Sequence, residues 1–236
     1  MIISPSAISP YKIPTFQSGG GVPPFSFGNA LEFDGVNDFV DITELSLSGQ
    51  FTISMWINSA RFTTNQSPLF GHKTNVVDYF EFRGNSSVRL RNSSGIITFA
   101  MPAISTGVWY NYIFTRDSGN NVKTFINNIE SSTGSLSNSG TFNIENIGAH
   151  IAFATGWFSQ GTYDEIAIWD GITATAQNRT DLYNGGNGAL ASSVIASPTA
   201  YWRMNGTSGD STAIDEQGTY NGTLNNFDTA TCWVAH

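Results

Sequence analysis

The residue types that could do chemistry in this chain are carboxylates, and they lie in two short stretches. The segment LEFDGVNDFVDI, residues 31–42, places Asp34, Asn37 and Asp38 around a glycine turn. The segment GTYDEIAIWD, residues 161–170, carries the adjacent pair Asp164 and Glu165. Carboxylates serve as acid and base in glycoside hydrolysis, or as oxygen ligands for a hard cation.

Hydrolysis requires two carboxylates that flank one bond, roughly 5 to 10 Å apart. Successive side chains of a strand point to opposite faces, so Asp164 and Glu165 are not expected to act together. Glu81, within YFEFR, is expected to pair with Arg83 or with a neighbouring strand. The sequence also lacks a G-x-S-x-G elbow and a histidine placed for a triad. We therefore expect that the protein is not an enzyme.

Composition excludes several classes of partner. Only 12% of the 236 residues are charged, and 10 basic residues stand against 18 acidic ones, for a net charge of −8. Without a Lys/Arg cluster the chain is not expected to bind nucleic acid. A single cysteine, Cys232, excludes disulfides within the chain. No segment approaches the roughly 20 apolar residues of a membrane span, so we expect no membrane insertion.

Short apolar runs separated by turn residues predict strands from Leu31 onward. In FTISMWINS, alternate residues from Phe51 to Ile57 form an apolar face, while Trp56 shares the other face with small polar residues. One helix is predicted after Thr173, whose hydroxyl would cap the amides of residues 174–183, and Gly185 and Gly186 would end it. This pattern is typical of an all-β sandwich.

These residues also carry a resemblance to a known family. Four segments resemble the successive signatures of laminin-G-like, concanavalin A-like jelly-roll domains. They are LEFDGVNDFVDI, FTISMWIN, VWYNYIFTRDSGNNVKTFINN, and GTYDEIAIWD followed by a helix and LYNGG. Such domains occur in phage and bacterial surface proteins. The resemblance covers about residues 30–188 and implies an all-β fold: a two-sheet antiparallel jelly-roll sandwich with one short helix and an extended N-terminal arm.

The chain divides into three parts on this interpretation. Residues 1–29, rich in Pro and Gly, are predicted to form an extended arm, and residues 30–190 the laminin-G-like domain. Residues 191–236 also resemble the family, although in the family such a segment often precedes the FDG strand. They either complete the same sandwich, which we favour, or form an appended hairpin.

The resemblance further implies a structural Ca²⁺. In the family the matching aspartates often help to hold such an ion, so Asp34 and Asp164 are the first candidates and Asn37 and Asp38 the next. Carboxylate and carbonyl oxygens are the ligands that Ca²⁺ takes. The alternative is that Asp34 and Asp38 only cap their turn.

Glycan binding would use exposed aromatic side chains, which stack on sugar rings, with amide and hydroxyl donors beside them. Trp157 and Phe158 lie in a predicted loop with Gln160 close by, and Trp56 lies on the polar face of its strand. These four residues are the candidate ligand contacts. Alternatively, both faces of the sandwich strands are covered and the tryptophans are part of the core.

Two functions remain open from the sequence. The first is a non-catalytic structural or interaction protein of a virion, such as a phage head decoration or a tail-associated subunit, which displays the jelly roll and binds cell-surface glycans. Its arm, apolar yet without a signal-peptide pattern, would contact other virion subunits or copies of the same chain. The second is a secreted, extracellular bacterial module for carbohydrate binding or adhesion.

Overall fold

The computed structural model describes residues 28–62, 67–152 and 157–235. The predicted arm therefore lies almost wholly outside the described residues. In chain order the strands are β1 Asn29–Asp34, β2 Phe39–Leu47, β3 Phe51–Ser59, β4 Pro68–Gly71, β5 Tyr79–Phe82, β6 Ser87–Asn92, β7 Gly95–Ala100, β8 Trp109–Arg116, β9 Asn121–Ile126, β10 Ile129–Glu130, β11 Leu136–Ser137, β12 Phe142–Ile147, β13 Ala149–His150, β14 Trp157–Phe158, β15 Gln160–Asp170, β16 Ala200–Trp202, β17 Thr212–Ala213, β18 Gly222–Asn225 and β19 Trp233–Ala235. The helices are α1 Ala176–Tyr183 and α2 Ala191–Val194, and a 3-10 turn spans Asn184–Gly186.

Two large antiparallel sheets form the sandwich. The first sheet has the order β10-β9-β8-β3-β15-β1-β19, with β11 beside β9 and β16 beside β15. The second sheet has the order β17-β18-β2-β12-β4-β5-β6-β7, and β13 and β14 form a separate two-stranded ribbon. The prediction of a two-sheet antiparallel jelly-roll sandwich with little helix is confirmed.

Apolar residues fill the space between the sheets, as the alternation in each strand predicts. On β3 the side chains of Phe51, Ile53, Met55 and Ile57 all face this core. A second, smaller core covers the outer face of the first sheet, where α1, α2 and the segment before β16 pack against it. Its buried members are Ile113, Phe125, Ala167, Trp169, Ala174, Leu182, Ala191, Ile195 and Tyr201. The central part of the first sheet is therefore covered on both faces.

The helix begins two residues later than the sequence predicted. Thr175 caps α1, because its side chain accepts a hydrogen bond from the backbone N–H of Asn178, whose side chain in turn accepts one from the backbone of Thr175. Thr173, the predicted cap, instead donates its hydroxyl to the carbonyl of Arg116. The predicted cap was wrong because Thr173 is held against the first sheet. None of the described helices is long and apolar enough to span a membrane.

The C-terminal segment contributes strands to both sheets. Strand β16 pairs with β15, and β19 pairs with β1, so both add to the first sheet. Strand β18 pairs with β2, and β17 with β18, so these two extend the second sheet. Residues before and after the predicted boundary at 190 therefore share the same two sheets.

Gly71, the last residue of β4, leads to a prediction about packing. A Cβ atom there would lie 2.3 Å from the carbonyl oxygen of Ala149 and 2.6 Å from the Cα atom of His150. Both are backbone atoms, so we expect Gly71→Ala to lower the free energy of unfolding by about 2 kcal/mol in urea denaturation. Gly49→Ala is the matched control, because a Cβ at Gly49 meets nothing within 4 Å. Equal stability of the two variants would contradict this prediction.

Candidate functional site

The acidic turn after β1 uses its carboxylates to hold its own backbone. Asp34 Oδ1 accepts hydrogen bonds from the backbone N–H groups of Val36, Asn37 and Asp38, at 2.7, 3.2 and 3.4 Å. Asp38 Oδ2 accepts one from the N–H of Asp34, at 3.0 Å. Burial raises the pKa of Asp38 to about 6, and the nearby charge of Asp34 adds to this rise. Asp34 and Asp38 therefore cap their own turn, which is the alternative to a calcium site that the sequence left open.

Asp164 lies in an irregular part of β15. It is fully buried opposite Trp56 of β3, and the register of the two strands shifts between Asp164 and Ala167. Glu165 has a left-handed backbone with φ of 49°, and its N–H donates to Asp164 Oδ1. The expectation of regular alternation at Asp164 and Glu165 was therefore wrong, because a β-bulge interrupts the strand here.

Asp34 and Asp164 do not come together. Asp34 lies opposite Gln160 in the pairing of β1 with β15. Asp164 is four residues further along β15, which corresponds to roughly 13 Å at the usual rise of a strand. One calcium ion does not fit between these two carboxylates. Calcium binding by the turn alone stays a prediction.

Glu165 takes part in a buried network beneath β16. The hydroxyl of Tyr201 donates to Glu165 Oε2, and Arg203 Nε lies 3.4 Å from Oε1. Burial raises the pKa of Glu165 to about 7, with a further contribution from the charge of Asp164. Both carboxylates are almost completely inaccessible to solvent. Glu165 thus links the C-terminal segment to the first sheet through Tyr201 and Arg203.

Trp56 is not on the surface. Only 3% of it is exposed, and its ring stacks on Tyr183 of α1, with centroids 6.2 Å apart and planes at 20°. The prediction that Trp56 contacts a ligand from the polar face of β3 was wrong. That face is covered by the helix, a tertiary contact that the alternation within β3 does not reveal.

Trp157 is half-buried at the edge of an aromatic patch on the outer side of the second sheet. Its ring lies 5.9 Å from that of Tyr79 and 6.1 Å from that of His150, which faces it across the β13–β14 ribbon. Arg91 lies over the Tyr79 ring at 5.9 Å. Burial lowers the pKa of His150 to about 4. We call Tyr79, Arg91, His150 and Trp157 the tryptophan patch, in which Tyr79 and His150 are buried and the half-buried Arg91 and Trp157 form the accessible part.

Phe158 and Gln160 lie beside the acidic turn. The guanidinium of Arg61 donates to the carbonyl of Phe158 at 2.9 Å and to that of Gly35 at 3.1 Å. Gln160 is the register partner of Asp34. The structure thus joins two groups of residues that are far apart in the sequence, the turn at Asp34 and the segment after Trp157.

A charged cluster on the second sheet was missed by sequence reasoning. His72 Nε2 lies 3.2 Å from Glu44 Oε2, and His72 Nδ1 lies 3.1 Å from Glu145 Oε2. Nδ1 also accepts the backbone N–H groups of Thr74 and Asn75, which leaves the proton on Nε2, facing Glu44. Although these side chains are close enough to hold a cation, the imidazole is already engaged on both nitrogens. The spacing of Glu44, His72 and Glu145 in the sequence does not indicate that they form a cluster.

A groove formed by the C-terminal segment was also missed. It has a volume of about 520 Å³, and its polar and aromatic lining includes Arg203, Asn205, Asp210, Glu216 and Trp233. The volume falls within the range of about 300–1,000 Å³ that is usual for small-molecule sites. Only the lone aromatic Trp233 and the polarity of residues 203–216 hint at it in the sequence.

The two antiparallel sheets define the protein as a jelly-roll sandwich. A family model described as the concanavalin A-like lectin/glucanases superfamily matches residues 34–179. The chain belongs to this superfamily. No curated protein matches the sequence.

Solved structures with a similar fold come from several kinds of protein. A sialidase of Trypanosoma rangeli in complex with 2,3-difluorosialic acid matches with a TM-score of 0.50 and 12% identity, over 66% of this chain and 27% of the sialidase. Domain 4 of AbnA, an extracellular arabinanase from Geobacillus stearothermophilus in complex with arabinotriose, matches with a TM-score of 0.43 and 22% identity, over 57% and 66% of the two chains. The receptor binding domain of botulinum neurotoxin type G matches with a TM-score of 0.40 and 16% identity, over 66% of this chain and 46% of the neurotoxin domain.

The likeness to the sialidase, with a TM-score of 0.50, shows the fold alone. Identities are below 25%, and the chain spans only about a quarter of the length of the sialidases. Function therefore has to be argued from the side chains of this protein.

Proposed function

We propose that this chain is a non-catalytic glycan-binding protein that displays its jelly roll on the surface of a virion, as a head decoration or a tail-associated subunit. The observation that carries glycan binding is the tryptophan patch. It combines a half-buried indole with a guanidinium, the pairing of apolar ring and polar donor that sugar recognition uses. Polar side chains are also exposed on strands β2 and β7 of the second sheet, namely Thr43, Glu44, Ser46 and Thr98.

The absence of catalysis is proposed from the surroundings of the carboxylates. Asp164 and Glu165 are buried beneath the C-terminal segment. Glu81 is fully buried and lies 3.6 and 3.5 Å from the guanidinium groups of Arg83 and Arg89. Burial raises the pKa of Glu81 to about 7, while the two arginines oppose this rise. None of these three carboxylates lines the groove formed by the C-terminal segment.

A glycan array tests the binding proposal. We expect the full chain to bind at least one glycan and Trp157→Ala to weaken that binding at least tenfold, because the stacking surface is lost. Trp109→Ala is the matched control, since Trp109 is also half-buried but lies on the first sheet, and it is expected to bind like the unchanged protein. Equal loss in both variants, or no bound glycan, would contradict the proposal.

The virion role is proposed from the apolar, Pro-rich arm that precedes the sandwich. The domain side of this arm is firmly attached, because the N–H of Asn29 donates to Asn205 and its amide donates to the carbonyl of Gly206. A variant without residues 1–27 keeps this attachment. We expect it to fold but to be lost from purified particles, whereas the full chain is retained. A truncated protein that still assembles onto the particle would show that the arm is not the tether.

A further inference from the structure

We propose that the groove lined by Arg203, Asn205, Asp210, Glu216 and Trp233 is a second saccharide-binding site, specific for neutral sugars. This inference rests on the proposed glycan-binding function but not on the tryptophan patch. The groove is built from residues 203–233, beyond the residues 34–179 that match the superfamily. The groove therefore lies outside the part of the chain that the superfamily matches.

The lining offers what a sugar requires. Trp233 supplies an apolar ring surface, Arg203 and Asn205 supply N–H donors, and the carboxylates of Asp210 and Glu216 supply acceptors. Sugar hydroxyls both donate and accept, so a mixed set of charged and amide groups around one aromatic ring suits them.

The aromatic wall of the groove is held in place before any ligand arrives. The indole Nε1–H of Trp233 donates to the carbonyl of Asp210 at 2.9 Å. Gly206 lies directly against the ring, since a Cβ atom there would fall 2.3 Å from Cε2. Asn29 anchors the neighbouring loop through Asn205 and Gly206. A fixed wall reduces the conformational entropy that is lost on binding.

The charges favour a neutral ligand over an anionic one. Among the described residues that line the groove, Arg203 is the single cation, and its Nε already lies 3.4 Å from Glu165. Asp210 and Glu216 face the same space, and hydrogen bonds from Thr207 hold the pKa of Asp210 below its usual value. A carboxylated sugar such as sialic acid would meet net negative charge. Hydroxyls of a neutral sugar would not.

The test is a ¹H–¹⁵N titration of the full chain that follows the tryptophan indole signals. Trp233→Phe and Trp157→Phe assign the two signals of interest. The probes are lactose, maltose and cellobiose, each raised to tens of millimolar, with 3′-sialyllactose as the acidic comparison. We expect the Trp233 signal to shift with at least one neutral disaccharide and at least tenfold less with sialyllactose.

Two side-chain variants make the test independent of changes to the tryptophan. Glu216 is exposed, and Glu216→Gln is expected to weaken binding at the groove about tenfold by removing a charged acceptor. Asp181→Asn, an exposed carboxylate on α1, is the matched control and is expected to leave the titration unchanged.

The outcomes separate this inference from the proposed function. A shift of Trp157 alone would overturn the groove as a saccharide site and leave the tryptophan patch standing. A shift of Trp233 alone would support the groove and contradict the patch. A response of neither signal, or a stronger response to sialyllactose at Trp233, would overturn the inference.

Discussion

Replacing Arg116 with methionine is expected to lower the free energy of unfolding by about 3–5 kcal/mol. Arg116 is completely buried at the end of β8, where its guanidinium donates to the carbonyls of Gly49, Gly140 and Leu47. Gly49 and Gly140 lie in the connections from β2 to β3 and from β11 to β12, which join the two sheets, and Leu47 is the last residue of β2. Methionine preserves most of the volume but removes all donors, so the buried carbonyls of Gly140 and Leu47 and the partly buried carbonyl of Gly49 lose their partners. An unpartnered buried acceptor costs about 1–3 kcal/mol before relaxation.

The aromatic surroundings of Arg116 add to this cost. Its guanidinium lies 5.0 Å from the ring centroid of Phe51 and 5.7 Å from that of Phe142, one ring from each sheet. Urea denaturation of the full chain measures the effect. Lys123→Met is the control, because Lys123 forms only a surface ion pair with Glu130 and its loss is expected to change stability by at most about 1 kcal/mol. Similar stabilities of the two variants would show that Arg116 does not join the loops.

Replacing Glu165 with glutamine is expected to change how stability depends on pH. The pKa of Glu165 is about 7 in the folded protein, above its ordinary value of 4.5, so the folded state holds its proton more tightly. The stability that this proton provides is complete below pH 4.5 and is lost as the pH rises through 7. For a group this deeply buried the loss amounts to about 3 kcal/mol. Glutamine keeps an acceptor for Tyr201 and does not ionise.

The measurement is urea denaturation of both proteins at pH 5 and pH 8. We expect the stability of Glu165→Gln relative to the unchanged protein to rise by about 2.5 kcal/mol between these values. His150 acts in the opposite direction, because its lowered pKa of about 4 removes stability as the pH falls below 6.5. It is present in both proteins, so its effect cancels in the difference. A difference that is the same at both pH values would mean that Glu165 is ionised throughout.

The strands could be predicted from the sequence because alternation is a local property. The faces of Phe51, Ile53, Met55 and Ile57 follow from residue type alone, and the structure places all four in the inter-sheet core. The burial of Trp56 could not be predicted in this way. It depends on α1, which lies more than a hundred residues further along the chain.

The bulge in β15 shows a second limit. Asp164 and Glu165 stand in an otherwise regular alternating run, and nothing in their types marks the left-handed backbone of Glu165. Because one inserted residue changes which face a side chain takes, alternation does not predict the faces at that point. The shared-calcium hypothesis failed for a related reason, since the register that places Gln160 opposite Asp34 is set by strand pairing.

The C-terminal groove illustrates a third limit. Its lining comes from loops around β16, β17 and β19, which belong to two different sheets. Only the assembled sandwich brings Arg203, Glu216 and Trp233 together. Their separate positions in the sequence suggest a polar loop, and the cavity exists only in the fold.

Recovery of a bound glycan tests the central proposal most directly. The full chain would be incubated with the glycan that it retains best on the array, and the ligand would be released and weighed by mass spectrometry. The proposed non-catalytic glycan binder predicts that the glycan is retained and released with its mass unchanged. A glycan of altered mass would contradict the absence of catalysis, and no retention of any glycan would contradict the binding function itself.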